Sequence, residues 1–504
     1  MAGSVQPDTL NIVTHTEAVD LDLSMFWAGY LFNSDDHGKL APELATKVPT
    51  LENGGISKDG LTITYHLRKG VLWHDGARFG ADDVIFTWHA LMNPRNIVAS
   101  RLGYELIRSI DKRDDWTIAV HLRRRYAPFV DTFLTMANFT YCVLPKHLLE
   151  RYADLNHVAY SRLPVGTGPF RIVENDNNQS FKFVRNEHYW RGPAKLKEID
   201  YQVVPSDNTL LTLLRAHEID FYSNASAEQA PVLAGIAGMR IYRTPFKTFL
   251  ALQFNMAHPA LRDLRVRQAL AYGVNRPELV SKVTHGVGIL ADNDQSPVSW
   301  AYNATDKQPP YDPARAASLL DQAGWHREAA QVRVRDGKPL ELVLTSVAGS
   351  ATDASAEQII AQRWSSLGIR TLIRNYPANV LFAPLANGGI EQNGKFDVTL
   401  SGFSDGPDPD DSTLFTCAAA PPAGENISHY CNPQVDRLAA NALVEYDQSK
   451  RKALYQKEQA LIARDLPALF LWFVQRQDVV NGDLQGYRPG HIDTPFWNTW
   501  QWSI

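Results

Sequence analysis

The sequence predicts an α/β protein built as a hinged pair of lobes. Three observations predict it. At 504 residues the chain exceeds one ordinary hydrophobic core, so two or three domains are expected. Beyond Phe254 the pattern becomes strands alternating with helices, as in βαβ units. Two apolar strands, Phe249–Phe254 and Ala468–Val474, can carry the chain out of one domain and back again. Two such crossings make a hinge, which suits a closing binding protein at least as well as an enzyme.

In chain order, Thr9–Val13 reads as a short strand. Leu61–Leu67 alternates Leu61, Ile63, Tyr65 and Leu67 with polar residues, and Trp116–Leu122 does the same, so both are half-buried strands. Between them Asp82 and Asp83 open a helix with a stripe of Val84, Trp88, Leu91 and Met92. Acids in a first turn complement the helix dipole. Pro145 opens a helix expected to run through Leu155. Residues 37–160 therefore form a compact α+β unit, and Pro164-Val165-Gly166-Thr167-Gly168-Pro169 is a sharp boundary. Strands Phe181–Arg185 and Ile199–Val204 follow, and then Ser206 caps a helix carrying Leu210, Leu211, Leu213 and Leu214.

In the second half, Asp312-Pro313 and Gly324 bound a helix over Ala314–Ala323. Strand Leu340–Thr345, helix Asp353–Leu367 and strand Ile369–Asn375 make a βαβ unit. Phe396–Leu400 is a further strand, and two charged helices span 434–447 and 450–465. Strands Leu340–Thr345 and Phe396–Leu400 both end in small polar loops, Ser346–Ser350 and Gly402–Asp410. If they are neighbours, both loops border one crevice, because ligands of open α/β sheets bind beyond the carboxyl ends of strands.

Composition narrows the function. Net charge is −5 with 44% hydrophobic residues, and Arg123-Arg124-Arg125 reads as a solvated strand end, so no nucleic-acid partner is expected. No run approaches the roughly 18 apolar residues of a membrane helix. Met1-Ala2-Gly3-Ser4 reads as an expression scar, and an export leader is expected to have been removed. Three cysteines permit one disulfide and one spare thiol. If Cys417 and Cys431 are bonded, the closed loop of about 15 residues adds roughly 3 kcal/mol and marks an oxidising compartment. Cys142 reads as a small buried hydrophobe.

Signals of catalysis are missing. The chain carries no His-Glu-x-x-His, Cys-x-x-Cys or Gly-x-Ser-x-Gly motif, and Gly166-x-Gly168 lacks the lysine of a phosphate loop. The aspartates at 405, 408, 410 and 411 lack the spacing and terminal Glu of a calcium loop. Paired carboxylates for glycoside cleavage need only meet in space, so that chemistry stays open. The prolines and glycines of Gly402–Asp410 break any helix, which leaves either an acidic surface loop or a binding loop whose Asp405 meets a positive group. Phe403 and Trp300 are candidate apolar walls or core residues, and Thr14 and His15 follow the first strand.

Several ordered segments carry a family resemblance. They are Pro42-Glu43-Leu44-Ala45, the run from Asp59-Gly60-Leu61-Thr62 through Leu72-Trp73-His74-Asp75-Gly76, Val165-Gly166-Thr167-Gly168-Pro169-Phe170, Asn186-Glu187-His188-Tyr189-Trp190-Arg191-Gly192, Asp263-Leu264-Arg265-Val266-Arg267-Gln268-Ala269-Leu270 and Tyr311-Asp312-Pro313. The chain resembles the large extracytoplasmic solute-binding proteins of ABC transporters, a family holding dipeptide, oligopeptide, nickel and haem receptors. The resemblance implies a bilobal periplasmic-binding-protein fold. Lobe I would comprise 1–36, 161–245 and 478–504, with an α+β subdomain inserted at 37–160, and lobe II would comprise 246–477. It also implies a monomer without cofactor, periplasmic or lipid-anchored outside the membrane, which delivers solute to a membrane permease.

Asp405-Gly406-Pro407-Asp408-Pro409-Asp410, with Leu414-Phe415-Thr416-Cys417 and Tyr430-Cys431-Asn432, resembles the dipeptide-receptor branch. That likeness implies a Cys417–Cys431 disulfide and an Asp405 that grips a peptide's α-ammonium group. The other candidate contacts are Phe403, Ser404, Trp300, Ser346, Thr14, His15 and the main chain of Gly166, Thr167 and Gly168, with a core position the alternative for Phe403 and Trp300. One feature departs from the branch. Its arginine for the peptide carboxylate has no counterpart in Ser346–Thr352, and Arg363 and Arg370 are expected outside the cleft. A longer peptide, an amidated or cationic compound, or a ligand without a carboxylate fits better than a free dipeptide. The alternatives are a receptor for a metal chelate, haem or oligosaccharide, and a hydrolase on the same fold.

Overall fold

The computed structural model describes the chain except Thr16, residues 137–140 and 329–330, Asp405, Pro407 and residues 491–493. Two compact units emerge. The first is Met1–Thr244, Gly406–Asp408 and Arg476–Ile504, and the second is Pro245–Asp405 and Pro409–Gln475.

The first unit contains β1 (Ala2–Gly3), α1 (Ala18–Trp27), β2 (Thr62–His66), α2 (Ala81–Met92), β3 (Ile107–Asp114) and β4 (Thr117–Leu122). It continues through β5 (Phe170–Asp176), β6 (Ser180–Arg185), β7 (Glu198–Val203), α3 (Asp207–Arg215) and β8 (Phe221–Tyr222). Strands β2, β4 and β3 form an antiparallel sheet in that order. The alternation read from the sequence gives it an inner face, with Ile63, Tyr65, Ile118 and Val120 buried. The second sheet runs β8–β1–β7–β6–β5. Phe26 on α1 packs against Phe183 on β6 and stacks on Phe496 at 5.2 Å. Trp502, from the tryptophan-rich C-terminus, is 1% exposed in the same cluster.

Two expectations are corrected here. Thr9–Val13 is a turn, because Asn11 accepts from the Val13 N–H with its side chain and from the Thr14 N–H with its carbonyl. Asparagine side chains that mimic a backbone turn in this way compete with strand pairing. The helix after Pro145 stops at Leu149. The segment beyond it is held from outside, by Asn96 accepting from the Leu155 N–H.

The second unit contains the larger part of β9 (Met239–Phe254), α4 (Leu264–Tyr272), α5 (Arg276–Val283), α6 (Pro313–Gln322), β10 (Glu341–Thr345), α7 (Ala351–Ser366), β11 (Arg370–Ile373), β12 (Val398–Ser404), α8 (Pro433–Ala442) and α9 (Gln448–Asp465). Strand β13 (Ala468–Asn481) leaves it, and its last residues pair with β8 in the first unit, Phe221 opposite Val480. The second unit's sheet runs β11–β10–β12–β9–β13. On one face Leu252, Phe254, Leu342, Leu344, Val398 and Leu400 pack against helix residues such as Ile360 and Trp364. On the other, Phe249 and Ala251 pack with Phe470, Phe415 and Tyr430. The helix caps at Ser206 and Asp312 fall where the sequence places them, each accepting a first-turn N–H, whereas Ser350 caps a helix that starts two residues before the expected Asp353. Among the described residues no helix is long and apolar enough to cross a membrane.

Candidate ligand-binding site

In the second unit, β10 and β12 are parallel neighbours, Leu344 opposite Val398 and Thr345 opposite Thr399. Ser346–Ser350 therefore leaves the carboxyl end of β10 beside Leu400, and β12 runs on in the same direction to Ser404, the end of the sheet at which α/β ligand crevices form. On β12, Phe403 lies opposite Phe249, their rings stacked at 6.0 Å, and it is half-buried. Ser404 is exposed, and its Oγ accepts from Thr248 Oγ1 at 3.2 Å. Gly402 leaves little room, because a Cβ there would stand 3.3 Å from Leu250. Asp405, the expected anchor, lies outside the described residues.

The chain beyond is tied down. Cys417 and Cys431 are bonded, and Cys142 is a buried free thiol. Inside the closed loop Asn426 donates to the carbonyls of Thr416 and Tyr430 at 2.9 and 2.7 Å and accepts from the Tyr430 N–H at 3.1 Å. Asp410 accepts from the Ser412 N–H, which starts the short helix Ser412–Phe415.

Ser346 is fully buried at the end of β10, its N–H donating to Asn375 Oδ1 at 3.1 Å. Ser350 caps α7, and Gly349 has a φ of +94°, a conformation that favours glycine. The loop carries no basic residue. Arg363 on α7 pairs with Glu278 at 2.8 Å, and Arg370 on β11 pairs with Glu341 at 3.1 Å. Trp300 is half-buried, edge-on to Tyr455 of α9 at 6.0 Å, with the Arg451 guanidinium 5.3 Å from its ring.

The first unit holds the remaining candidates. Thr14 closes the Asn11 turn. His15 is 3% exposed, with Nδ1 2.7 Å from the Ile12 carbonyl and its ring edge-on to Tyr141, and burial lowers its pKa. Gly166 and Gly168 press against the end of α1: a Cβ would lie 1.8 Å from the Trp27 carbonyl oxygen at the first and 2.7 Å from the Trp27 carbonyl carbon at the second. The Gly168 N–H donates to Trp27 at 2.9 Å. The Gly166 N–H donates to His74 Nδ1, and His74 Nε2 reaches the Gly168 carbonyl at 3.1 Å. Burial pushes the His74 pKa down to about 4, so the neutral imidazole can accept at one nitrogen and donate at the other. Thr167 is 1% exposed between the two glycines.

Sequence reasoning missed three groups. His74 pins the glycine loop, although it stood inside the Trp73-His74-Asp75-Gly76 motif. Lys247 is 1% exposed on β9, two residues before the apolar run Phe249–Phe254. Glu391 is 4% exposed beside β12, and no local pattern singles it out.

Comparison with known proteins bears on the whole chain. A model of the bacterial extracellular solute-binding proteins, family 5, matches residues 39–424. The chain is 26% identical to the oligopeptide-binding protein AppA of Bacillus subtilis (strain 168), over 100% of this chain and 91% of that protein. It is 26% identical to the dipeptide-binding protein of Escherichia coli (strain K12), over 97% and 93%. Among solved structures, NikZ from Campylobacter jejuni in complex with Ni(L-His) superposes with a TM-score of 0.81 at 27% identity, covering 100% of this chain and 98% of that one.

Proposed function

The chain belongs to the bacterial extracellular solute-binding proteins, family 5, and from that premise we propose that it captures a peptide-like or amine-bearing solute for an ABC importer. Asp405 meets the solute's positive group, with Phe403 and Ser404 beside it. A desolvated ammonium needs a carboxylate, and a charge-assisted hydrogen bond supplies one. The protein works outside the cytoplasmic membrane, periplasmic or held there by a lipid anchor, as a monomer that hands its solute unchanged to a membrane permease.

The observation that carries this reading is the parallel pairing of β10 and β12, which brings the loop after Thr345 beside the strand leading to Asp405. The same pairing narrows the solute. The loop beside β12 has no cation, and Arg363 and Arg370 are held by Glu278 and Glu341. A free carboxylate at that end would go unpaired, so amidated, cationic or longer peptides are preferred.

Calorimetry tests this with a dipeptide, its C-terminal amide and a pentapeptide. The amide and the pentapeptide are expected to bind more tightly than the free dipeptide. Asp405→Ala should weaken binding of the amide by about 3–5 kcal/mol, the cost of stranding one buried charge. Unchanged affinity in that variant would sink the assignment. A second reading, a receptor for a metal chelate, is favoured by the likeness to NikZ, solved with Ni(L-His). Titration with nickel–histidine decides between them.

A further inference from the structure

Thr345 and Thr399 face each other across the β10–β12 pair, and Ser401 lies two residues on, so the three hydroxyls share one face of the sheet. They are 0%, 0% and 2% exposed. The carboxyl of Glu391 enters this row from the loop before β12 and accepts from Thr399 Oγ1 at 2.7 Å. Ser401 is its other hydroxyl neighbour, and among the described residues the Thr345 hydroxyl has no hydrogen-bond partner. Glu391 thus joins its loop to the strand that runs directly into Phe403, Ser404 and Asp405.

We propose that Glu391 is a positioning residue for β12, and that its protonation state sets how firmly the strand holds the solute-binding loop. The inference rests on the reading that residues after Ser404 meet the solute. Neutral, the carboxyl sits among hydroxyls at no electrostatic cost. Ionised, it is a buried charge behind the strand, and such a charge without a cation is costly. The charged groups on the surrounding elements do not relieve it. Asp397, at the head of β12, accepts from the Val343 N–H and faces His258. Lys395 is exposed on Glu391's own loop, and His429 lies toward Gly394. Glu425, in the disulfide-closed loop, adds a like charge, β10 sets Thr345 opposite Thr399, and β9 sets the uncharged Gln253 and Ala251 opposite Thr399 and Ser401. Burial, followed by Glu425, pushes the Glu391 pKa up to about 7.

Hydrogen-exchange mass spectrometry of the ligand-free full chain, corrected for intrinsic rates, tests this at pH 6 and pH 8. Protection of β12 and of Ser412–Phe415 is expected to fall by about tenfold at pH 8 in the wild type. Glu391→Gln keeps the shape and the Thr399 hydrogen bond, so it should show pH 6 protection in both buffers, whereas Glu391→Ala should be less protected in both. A wild type with no pH response, or a Glu391→Gln variant that retains it, overturns the proposal. Calorimetry with Ala-Phe-Ala amide in the same buffers tests the link to binding. Affinity that falls at pH 8 in the wild type alone supports it. Binding absent at both pH values, with the exchange response intact, overturns the solute reading instead and leaves the positioning role standing.

Discussion

Glu458 lies fully buried on α9, beside the carboxyls of Asp411, Asp294 and Asp410. Burial, then the charges of Asp294 and Asp410, raise its pKa well above the usual range. The folded protein therefore holds a proton that the unfolded chain releases above about pH 4.5, so stability falls as pH rises from there toward the raised pKa. Glu458→Gln should stabilise the protein by about 1–3 kcal/mol at pH 7 and by nothing near pH 4. Urea titrations at the two pH values check this. Gly166 offers the opposite case. Its Cβ position is taken by the Trp27 carbonyl. Gly166→Ala must displace α1 or the loop, at a cost of about 1–3 kcal/mol read as a lower melting temperature. Both glycines drew attention as a possible main-chain contact for solute. In the structure their polar groups serve His74, Asn186 and Trp27.

At the scale of elements, helices and strands were legible wherever local chemistry dictated them. The alternation in Thr62–His66 and Thr117–Leu122, the caps at Ser206 and Asp312, and Gly368 at the end of α7 each rest on residues adjacent in the chain. Expectations failed where a side chain or a distant segment decided. Asn11 turned a strand pattern into a turn, and the segment after Leu149 is held by Asn96, more than 50 residues earlier. The disulfide belongs to this scale too. It closes a loop whose interior Asn426 already orders, so reduction should cost less than the roughly 3 kcal/mol expected for a flexible loop of that length. Thermal melting with and without dithiothreitol measures the difference. Alkylation under denaturing, non-reducing conditions should find one thiol, Cys142, and finding three would contradict the bond.

For the whole molecule, buried acids set the pH dependence of stability. Burial, then the neighbouring Asp8, pushes the Asp20 pKa up to about 9, and burial pushes Glu43 up to about 8. Each contributes stability that is complete below about pH 4 and is lost progressively as pH rises to its folded pKa. His74 works the other way. Its folded pKa of about 4 means that stability is lost as pH falls from about 6.5 toward 4. The raised acids outweigh the one lowered histidine, so the melting temperature should fall from about pH 5 to pH 8.5. A profile flat from pH 5.5 to 8.5 would contradict the raised acids.

The sequence by itself determined the order of the elements, the cysteine pair and the likeness to solute-binding proteins, because each is written in residues close together along the chain. Only the tertiary structure decided what lies beside β12, the strand leading toward Asp405. β10 and β12 are separated by more than 50 residues yet pair directly, and that pairing gives the loop after Thr345 its place, encloses Glu391 and leaves Arg363 and Arg370 to other partners. Such adjacency depends on how the strands assemble into a sheet, a non-local choice that no local pattern carries.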